Sequence, residues 1–468
     1  MNLSIPFDNT YATLPGIFYT KLNPTPVKSP RMIAWNDALA DTLGISNQSA
    51  EVFAGNTVPA GAAPLAQLYA GHQFGNYNPQ LGDGRAILLG EVIDKQGKRR
   101  DIQLKGSGPT PYSRMGDGRA WLGPVLREYV VSEAMNALGI PTTRALAATS
   151  TGESVYREQG ALPGAVLTRV ADSHLRVGTF QIFAHQGERE ALQILTDYAI
   201  ARHHPNADGP MGLLAAVCAA QAELVAAWMS VGFIHGVMNT DNCAISGETI
   251  DYGPCAFMDA YAEGQVFSSI DRTGRYAYGN QPRIAVWNMA QLATALIQLS
   301  DDTETAIETA TAIVHAMPQQ LQDARLRRFC AKIGLNHTPT AGDHDLIEEL
   351  LALMQADGAD FTNTFAALGT DKARDQFTNR NAFDDWVTKW QTHTGPDADA
   401  IMARANPQII PRNHQIEAMI NAAVAGDMKP FDRLITAQAS PYDLSPEYDD
   451  LRRPPLQSQI VPATFCGT

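Results

Sequence analysis

The chain has 468 residues, 45% of them apolar and 18% charged, enough apolar material to exclude wholesale disorder and to build about three domain-sized units. Asp plus Glu (49) outnumber Lys plus Arg (35), and the formal charge is −14. That balance excludes a global attraction for nucleic acid phosphates or anionic lipid.

The first 23 residues carry no basic residue before Lys21 and no long apolar core, so a secretory leader is not expected. Up to about residue 185, glycine, proline and short β-like segments dominate. Residues 85–91 and 100–105 read as strands, and the turn residues Asp94-Lys95-Gln96-Gly97 between them predict a hairpin. In the second strand Ile102 and Leu104 share one face, which puts Gln103 and Lys105 on the other. A helix follows, with Pro124 suited to its first turn, Gly139 to its C-terminal cap and Pro141 beyond. At helical spacing Leu126, Val130, Val131, Ala134, Met135, Ala137 and Leu138 form one apolar arc. Glu128 lies at the edge of that arc and Glu133 on the polar face, so Glu128 is the acid placed to pair inward with a lysine.

After residue 185 the pattern is mainly helical. Residues 213–231 read as a buried helix ended by Gly232. Its longest apolar run, 213–220, falls short of the roughly 20 residues a membrane span needs. Residues 232–253 are too glycine-rich for another helix and predict a loop, a short strand, a turn at Gly247-Glu248 and a second short strand. From 286 to about 425 the pattern is helical again, with breaks at Asp301, Gly334, Gly342, Gly358 and Gly395-Pro396. The tail is proline-rich and predicted to run extended over the surface. Five cysteines (Cys218, Cys243, Cys255, Cys330, Cys466) include no CxxC pair, which argues against a disulfide scaffold and a structural zinc site. A cytoplasmic protein with neither nucleic acid nor membrane as partner is expected.

P-loop, Rossmann, zincin and nucleophile-elbow signatures are all absent. What remains is an ordered series: Gly82-Asp83-Gly84-Arg85, Lys105 on a strand, Glu128 on a helix, His235, Asp241-Asn242, then Asp251-Tyr252-Gly253. ATP-dependent group transfer uses these residue types. Glycines let backbone N–H groups approach phosphate oxygens. A lysine supplies charge to the phosphates and needs a carboxylate to hold it. Asp and Asn oxygens suit a hard metal ion, and a further Asp can accept a hydroxyl proton. Singly, each has an ordinary structural explanation: a tight turn, a solvated lysine, a helix-edge acid, a cap or a satisfied histidine. Together they follow the order of parts in protein kinases. One departure stands out: the position two residues after the loop histidine, where kinases carry their Asp, is Val237. Asp241 is the nearby acid able to take that role.

The strings LAQLYAGHQFGNYNPQLGDGRAILLGE, DIQLKGSGPTPYSRMGDGRA, LREYVVSEAMNALGIPTTRAL and HGVMNTDNCAISGETIDYGPCAFMD, between residues 65 and 260, resemble the selenoprotein O family. FDNTYATLP near the start, the later NPQIIPRN and a cysteine near the C-terminus resemble it too. The resemblance implies an α+β, bilobal, protein-kinase-like fold with a mostly β N-terminal lobe and a large helical C-terminal lobe. It implies transfer of AMP, not phosphate, from ATP to protein hydroxyls, with ATP bound inverted and its terminal phosphates buried. Carried over, Gly82, Gly84, Arg85, Asp117 and Gly118 would line the nucleotide. Lys105, held by Glu128, would contact phosphate, as would Arg169 and Arg176. Asp241 would be the base, and Asn242 and Asp251 would hold Mg²⁺ or Mn²⁺, with Asp251 also facing the nucleotide. Three arginines beyond the one lysine (Arg85, Arg169, Arg176) are a surplus suited to a deeply held anionic tail. Cys466, where this family carries a cysteine or selenocysteine, is a candidate partner for Cys255 in an oxidised bridge.

The expected organisation is a lobe over 1–185 with the glycine-rich nucleotide loops, a catalytic part over 186–285, and a helical extension with a tail over 286–468. Expected partners are ATP and proteins with Ser, Thr or Tyr acceptors, this chain included. Two other functions fit the same residues: a phosphotransferase attacking the γ-phosphate, and a nucleotide-binding scaffold without turnover, suggested by Val237. Use of UTP with Mn²⁺ is also compatible with them.

Overall fold

The computed structural model describes residues 3–464. Twelve strands are present among them. Eight form one antiparallel sheet: β1 (Tyr19–Lys21), β2 (Arg31–Trp35), β3 (Leu65–Gln67), β6 (Ala86–Ile93), β7 (Arg99–Lys105), β8 (Ala120–Trp121), β9 (Arg144–Arg157) and β10 (Gly160–Ala171). Their order is β1-β3-β6-β7-β10-β9-β2, with β8 added beside β10. β4 (Gly71–Gln73) and β5 (Asn76–Asn78) make a separate hairpin, and β11 (Phe233–Ile234) pairs with β12 (Ala256–Phe257).

The β6–β7 hairpin forms where the turn residues place it, with Asp94 Oδ1 accepting from the N–H groups of Gln96 and Lys98 (2.9 Å each). The sheet is covered on both faces, which is why its strands do not alternate cleanly between apolar and polar. Short helices α1 (Asp37–Thr42) and α2 (Ala50–Phe53) close one side over Leu89, Ile102, Leu104, Val166 and Val170. On the other side lies α3 (Leu122–Ala137), where Leu126, Val130, Val131 and Met135 are buried. It ends at Gly139, whose φ of 75° is the left-handed conformation glycine accepts. Gln103 and Lys105 face this side, as the alternation requires.

The remaining helices are α4 (Val177–Gln186), α5 (Arg189–His203), α6 (Gly209–Ser230), α7 (Gln281–Leu296), α8 (Thr303–Lys332) and α9 (Ala341–Asp357), followed by α10 (Phe361–Ala367), α11 (Arg380–Gln391), α12 (Ala398–Ala405), α13 (Asn413–Val424) and α14 (Lys429–Gln438). The class is α+β. Residues 232–253 hold β11 and a single 3-10 turn at Thr240–Asn242. The short strands expected on either side of Gly247 reduce to one-residue bridges, Ala244 with Arg176 and Thr249 with Thr142.

α6 needs comment because, with a mean hydropathy of 1.6 over its most apolar 18 residues, it is long and apolar enough to cross a membrane. In the structure it packs against α5, α7 and α8, and its apolar surface is used in the core. The tail reaches the segment after β12, where Thr464 N–H donates to Phe267 O (2.7 Å) and Thr464 O accepts from Ser269 N–H (3.2 Å). Cys466 lies outside the described residues, so the expected bridge to the buried Cys255 lies outside them too.

At the end of α8, Lys332 is fully enclosed. Its ammonium donates to Asn406 Oδ1 (3.0 Å) and sits 4.3 Å from the Phe365 ring centre; among the described residues no carboxylate pairs with it. Burial lowers its pKa from 10.5 to about 7. Below pH 7 the folded protein carries this penalty in full. Between pH 7 and 10.5 the unfolded chain holds a proton that the folded one has released, so stability rises with pH. Lys332→Met is therefore expected to melt above wild type near pH 7 and to lose that advantage by about pH 10, read by paired thermal melts.

Candidate active site

A cleft of about 780 Å³ opens between the sheet and the helices, and all twelve candidate residues line it: Gly82, Gly84, Arg85, Lys105, Asp117, Gly118, Glu128, Arg169, Arg176, Asp241, Asn242 and Asp251. At its floor the Lys105 ammonium meets Glu128 Oε2 (2.7 Å) and Asp251 Oδ1 (2.9 Å). Arg169, buried on β10, donates through Nε to Glu128 Oε1 (2.9 Å) and through a terminal nitrogen to Asp251 Oδ1 (2.6 Å). Glu128, not Glu133, is thus the inward acid. Glu133 instead accepts from Arg144 (2.9 and 2.6 Å) and from Ala145 N–H (2.9 Å).

Arg176 caps the start of α4 and is also buried, stacked 4.5 Å from the Tyr69 ring centre. One terminal nitrogen donates to His174 O (2.8 Å), and its ion pairs are long: 3.5 Å to Asp251 Oδ2 and 3.9 Å to Asp83 Oδ1. Among the described residues its Nε has no hydrogen-bond partner. Both ion pairs are longer than a charge-assisted hydrogen bond.

Electrostatics follow from the placement. Burial opposes ionisation of Asp251, but Arg169, Lys105 and Arg176 outweigh it and hold the carboxyl well below its usual range. Glu128 is lowered in the same way, burial being overcome by Arg169 and Lys105. Asp83 moves up: burial exceeds the pull of Arg176, and its Oδ2 accepts from Gln67 N–H and Gln103 Nε2 (3.1 Å each). Burial pushes Asp241 up to about 6, offset in part by a hydrogen bond from Gln73. Three cations, Lys105, Arg169 and Arg176, thus converge on the floor beside Glu128 and Asp251, with Asp83 and Asp241 next to them.

The upper wall is made by the two glycine-rich segments packed together. A Cβ on Gly82 (φ 90°) would fall 2.6 Å from the Tyr112 ring, and one on Gly84 2.9 Å from Tyr112 O. These glycines are therefore needed for the contact between loops as well as for an open backbone. Gly118 (φ 68°) has no room either, with Gly108 backbone at 2.2 Å. Asp117 lines the mouth, but its carboxylate is already engaged by Arg157 (2.8 and 3.1 Å) and Arg119 N–H (2.9 Å). The Arg85 guanidinium makes no hydrogen bond or ion pair among the described residues.

On the opposite wall Asn242 Nδ2 donates to Val237 O (3.0 Å), which fixes the amide and leaves Oδ1 as its free acceptor. Asp251 sits at φ 62°, a left-handed conformation that Asp tolerates better than most residues and that recurs at functional sites. His235 is structural: it is buried, with its ring nitrogens on Ile250 O (2.9 Å) and Val237 N–H (3.4 Å). Asp83, Gln103, Tyr69 and Gln73 belong to the site but stand outside the residues the sequence singled out. Asp83 was within reach, since it lies inside the glycine motif.

Comparison with known proteins gives the class first. The family model described as protein adenylyltransferase SelO matches residues 1–439, and the chain belongs to that family. The relatives are named protein nucleotidyltransferase YdiU. Those from Ruegeria sp. (strain TM1040) and Roseobacter denitrificans are each 68% identical over 474 aligned residues, covering the whole of both chains. One from Rhodopseudomonas palustris (strain BisB18) is 54% identical, again over the full length of both.

Glu128→Ala would leave Lys105 held by Asp251 alone and strip one of two counter-ions from buried Arg169. It is expected to cost about 3 kcal/mol of stability, seen as a lower urea midpoint, whereas Glu128→Gln, which keeps the shape, costs less.

Proposed function

We propose that this chain transfers AMP from ATP to Ser, Thr or Tyr hydroxyls of proteins, itself included, and releases pyrophosphate. The observation that carries the reading is the convergence of three cations on the cleft floor, where Lys105, Arg169 and the loosely paired Arg176 face inward. These are the groups that hold phosphate oxygens, and burying the terminal phosphates of a triphosphate there turns the α-phosphorus toward the mouth. The fold is read as bilobal and protein-kinase-like, with a sheet lobe over 1–185, a catalytic part over 186–285 and a helical extension over 286–468.

Gly82, Gly84, Arg85, Asp117 and Gly118 line the nucleotide, with Arg85 the cation free to meet it. Lys105, Arg169 and Arg176 hold phosphate oxygens. Asp241 accepts the proton of the attacking hydroxyl as its oxygen bonds to the α-phosphorus and the bond to the β-phosphate oxygen breaks. General base help of this kind contributes on the order of 10²–10⁴-fold. Asn242 Oδ1 and the Asp251 carboxylate are hard oxygen donors suited to Mg²⁺ or Mn²⁺. Among the described residues no group of three His, Cys, Asp or Glu side chains is placed to hold a metal ion. When bound, such an ion neutralises phosphate charge.

The test is intact-mass spectrometry after incubation with ATP, Mg²⁺ or Mn²⁺ and a cell lysate, with Asp251→Ala in parallel. Wild type is expected to gain an AMP unit, or to pass label from the α- but not the γ-phosphorus to other proteins, and Asp251→Ala to do neither. Transfer of γ-label would make it a kinase. Thermal stabilisation by ATP with no label transferred would make it a scaffold. Replacing ATP by UTP with Mn²⁺ decides the base.

A further inference from the structure

The three cations at the cleft floor are held in different ways. Lys105 and Arg169 are held by the carboxylates of Glu128 and Asp251. Arg176 rests on a ring instead, its guanidinium carbon 4.5 Å from the centre of Tyr69. Its Nη1 donates to His174 O (2.8 Å). Nη2 makes no hydrogen bond among the described residues, and its nearest carboxylate oxygen, on Asp251, is 3.5 Å away.

The backbone around Tyr69 fixes the ring in that place. Tyr69 O accepts from Leu81 N–H (2.8 Å), which ties it to the Gly82 turn. The next residue, Ala70, donates its N–H to Gly178 O in the first turn of α4 (3.0 Å). A Cβ on residue 178 would fall 2.1 Å from Ala70 O, so the approach needs glycine there. Arg176 stands two residues before that glycine, at the start of the same helix. One backbone contact thus sets ring against guanidinium, and both residues line the cleft. Burial pushes the Tyr69 hydroxyl well above its ordinary value, so the ring is a neutral phenol.

A carboxylate and an aromatic face confine an arginine at different cost. The carboxylate occupies N–H groups, whereas the ring meets the flat face of the guanidinium and leaves the N–H edge unused. For a group whose task is to meet phosphate oxygens, the second arrangement keeps donors in hand. We propose that Tyr69 is the positioning residue for Arg176, confining the guanidinium through its π face so that Nη2 stays open to a phosphate of the nucleotide. This rests on the reading of Arg176 as a residue that holds phosphate. Tyr69 itself exchanges no proton and forms no bond in the reaction.

The experiment titrates the full chain with the α,β-methylene analogue of ATP and Mg²⁺ in a calorimeter; the analogue binds without transferring AMP. Tyr69→Leu, Tyr69→Phe, Arg176→Ala and the Tyr69→Leu/Arg176→Ala pair are run beside wild type. Tyr69→Leu is expected to weaken binding by about 5- to 30-fold, the span of a desolvated cation–π contact. Tyr69→Phe, which keeps the ring, is expected to recover affinity to within about threefold of wild type. With residue 176 already Ala, Tyr69→Leu is expected to cost nothing further. Equal losses in the two backgrounds would assign the ring to packing alone, and a loss in Tyr69→Phe as large as in Tyr69→Leu would assign the effect to the hydroxyl; either overturns the proposal. Wild-type affinity in Tyr69→Leu beside a weakened Arg176→Ala would remove this inference alone, whereas wild-type affinity in Arg176→Ala would remove the phosphate reading beneath it.

Discussion

Asp251 accepts from Lys105 and Arg169 on one oxygen while Arg176 stands off the other, and five segments of the chain must converge to make that possible. Lys105 and Arg169 come from neighbouring strands, Glu128 from α3, Arg176 from the start of α4 and Asp251 from the loop before β12. Taking these ions out of water costs several kcal/mol each unless every one finds its counter-ion. The cluster therefore sets how the sheet and the helices sit on one another.

A second constraint ties the segment leading into the Gly82–Arg85 turn to the opposite wall. The two-residue turn of the β4–β5 hairpin puts Phe74 at φ 52° and Gly75 at φ 86°. That geometry suits the twist of a tight hairpin but strains a bulky residue. The strain is tolerated because Phe74 packs on Tyr276 and its N–H is held by Asn239. The hairpin thus depends on the helical part for its shape, and the loop 239–242 depends on the hairpin for its polar partners.

What was legible in the sequence were the local features. The Asp94–Gly97 turn, the apolar arc of α3 with Glu128 at its edge, and the glycine stop after α6 each follow from near neighbours and appear where the pattern puts them. The site residues came as an ordered series, and the structure brings that series into one cleft. Contacts of long reach were not legible. Gln73 meets Asp241 across 168 positions, and Phe-Gly is not a turn signal that marks a hairpin. Burial of Arg169 was hinted at by its apolar surroundings, Leu167 to Ala171, but an arginine in such a strand fits an edge as well as a core. The bridges around Gly247 failed as strands because pairing partners are a tertiary property.

α6 has a consequence during synthesis. Its main partner, α8, ends at Lys332, about 100 residues after Ser230. At about 5–20 residues per second, the helix waits on the order of 5–20 seconds for the surface that covers it. Over that interval the nascent chain displays a segment that factors inserting membrane proteins would recognise by length and apolarity. The order in which the chain emerges, and not only the finished packing, therefore decides how long α6 stays uncovered.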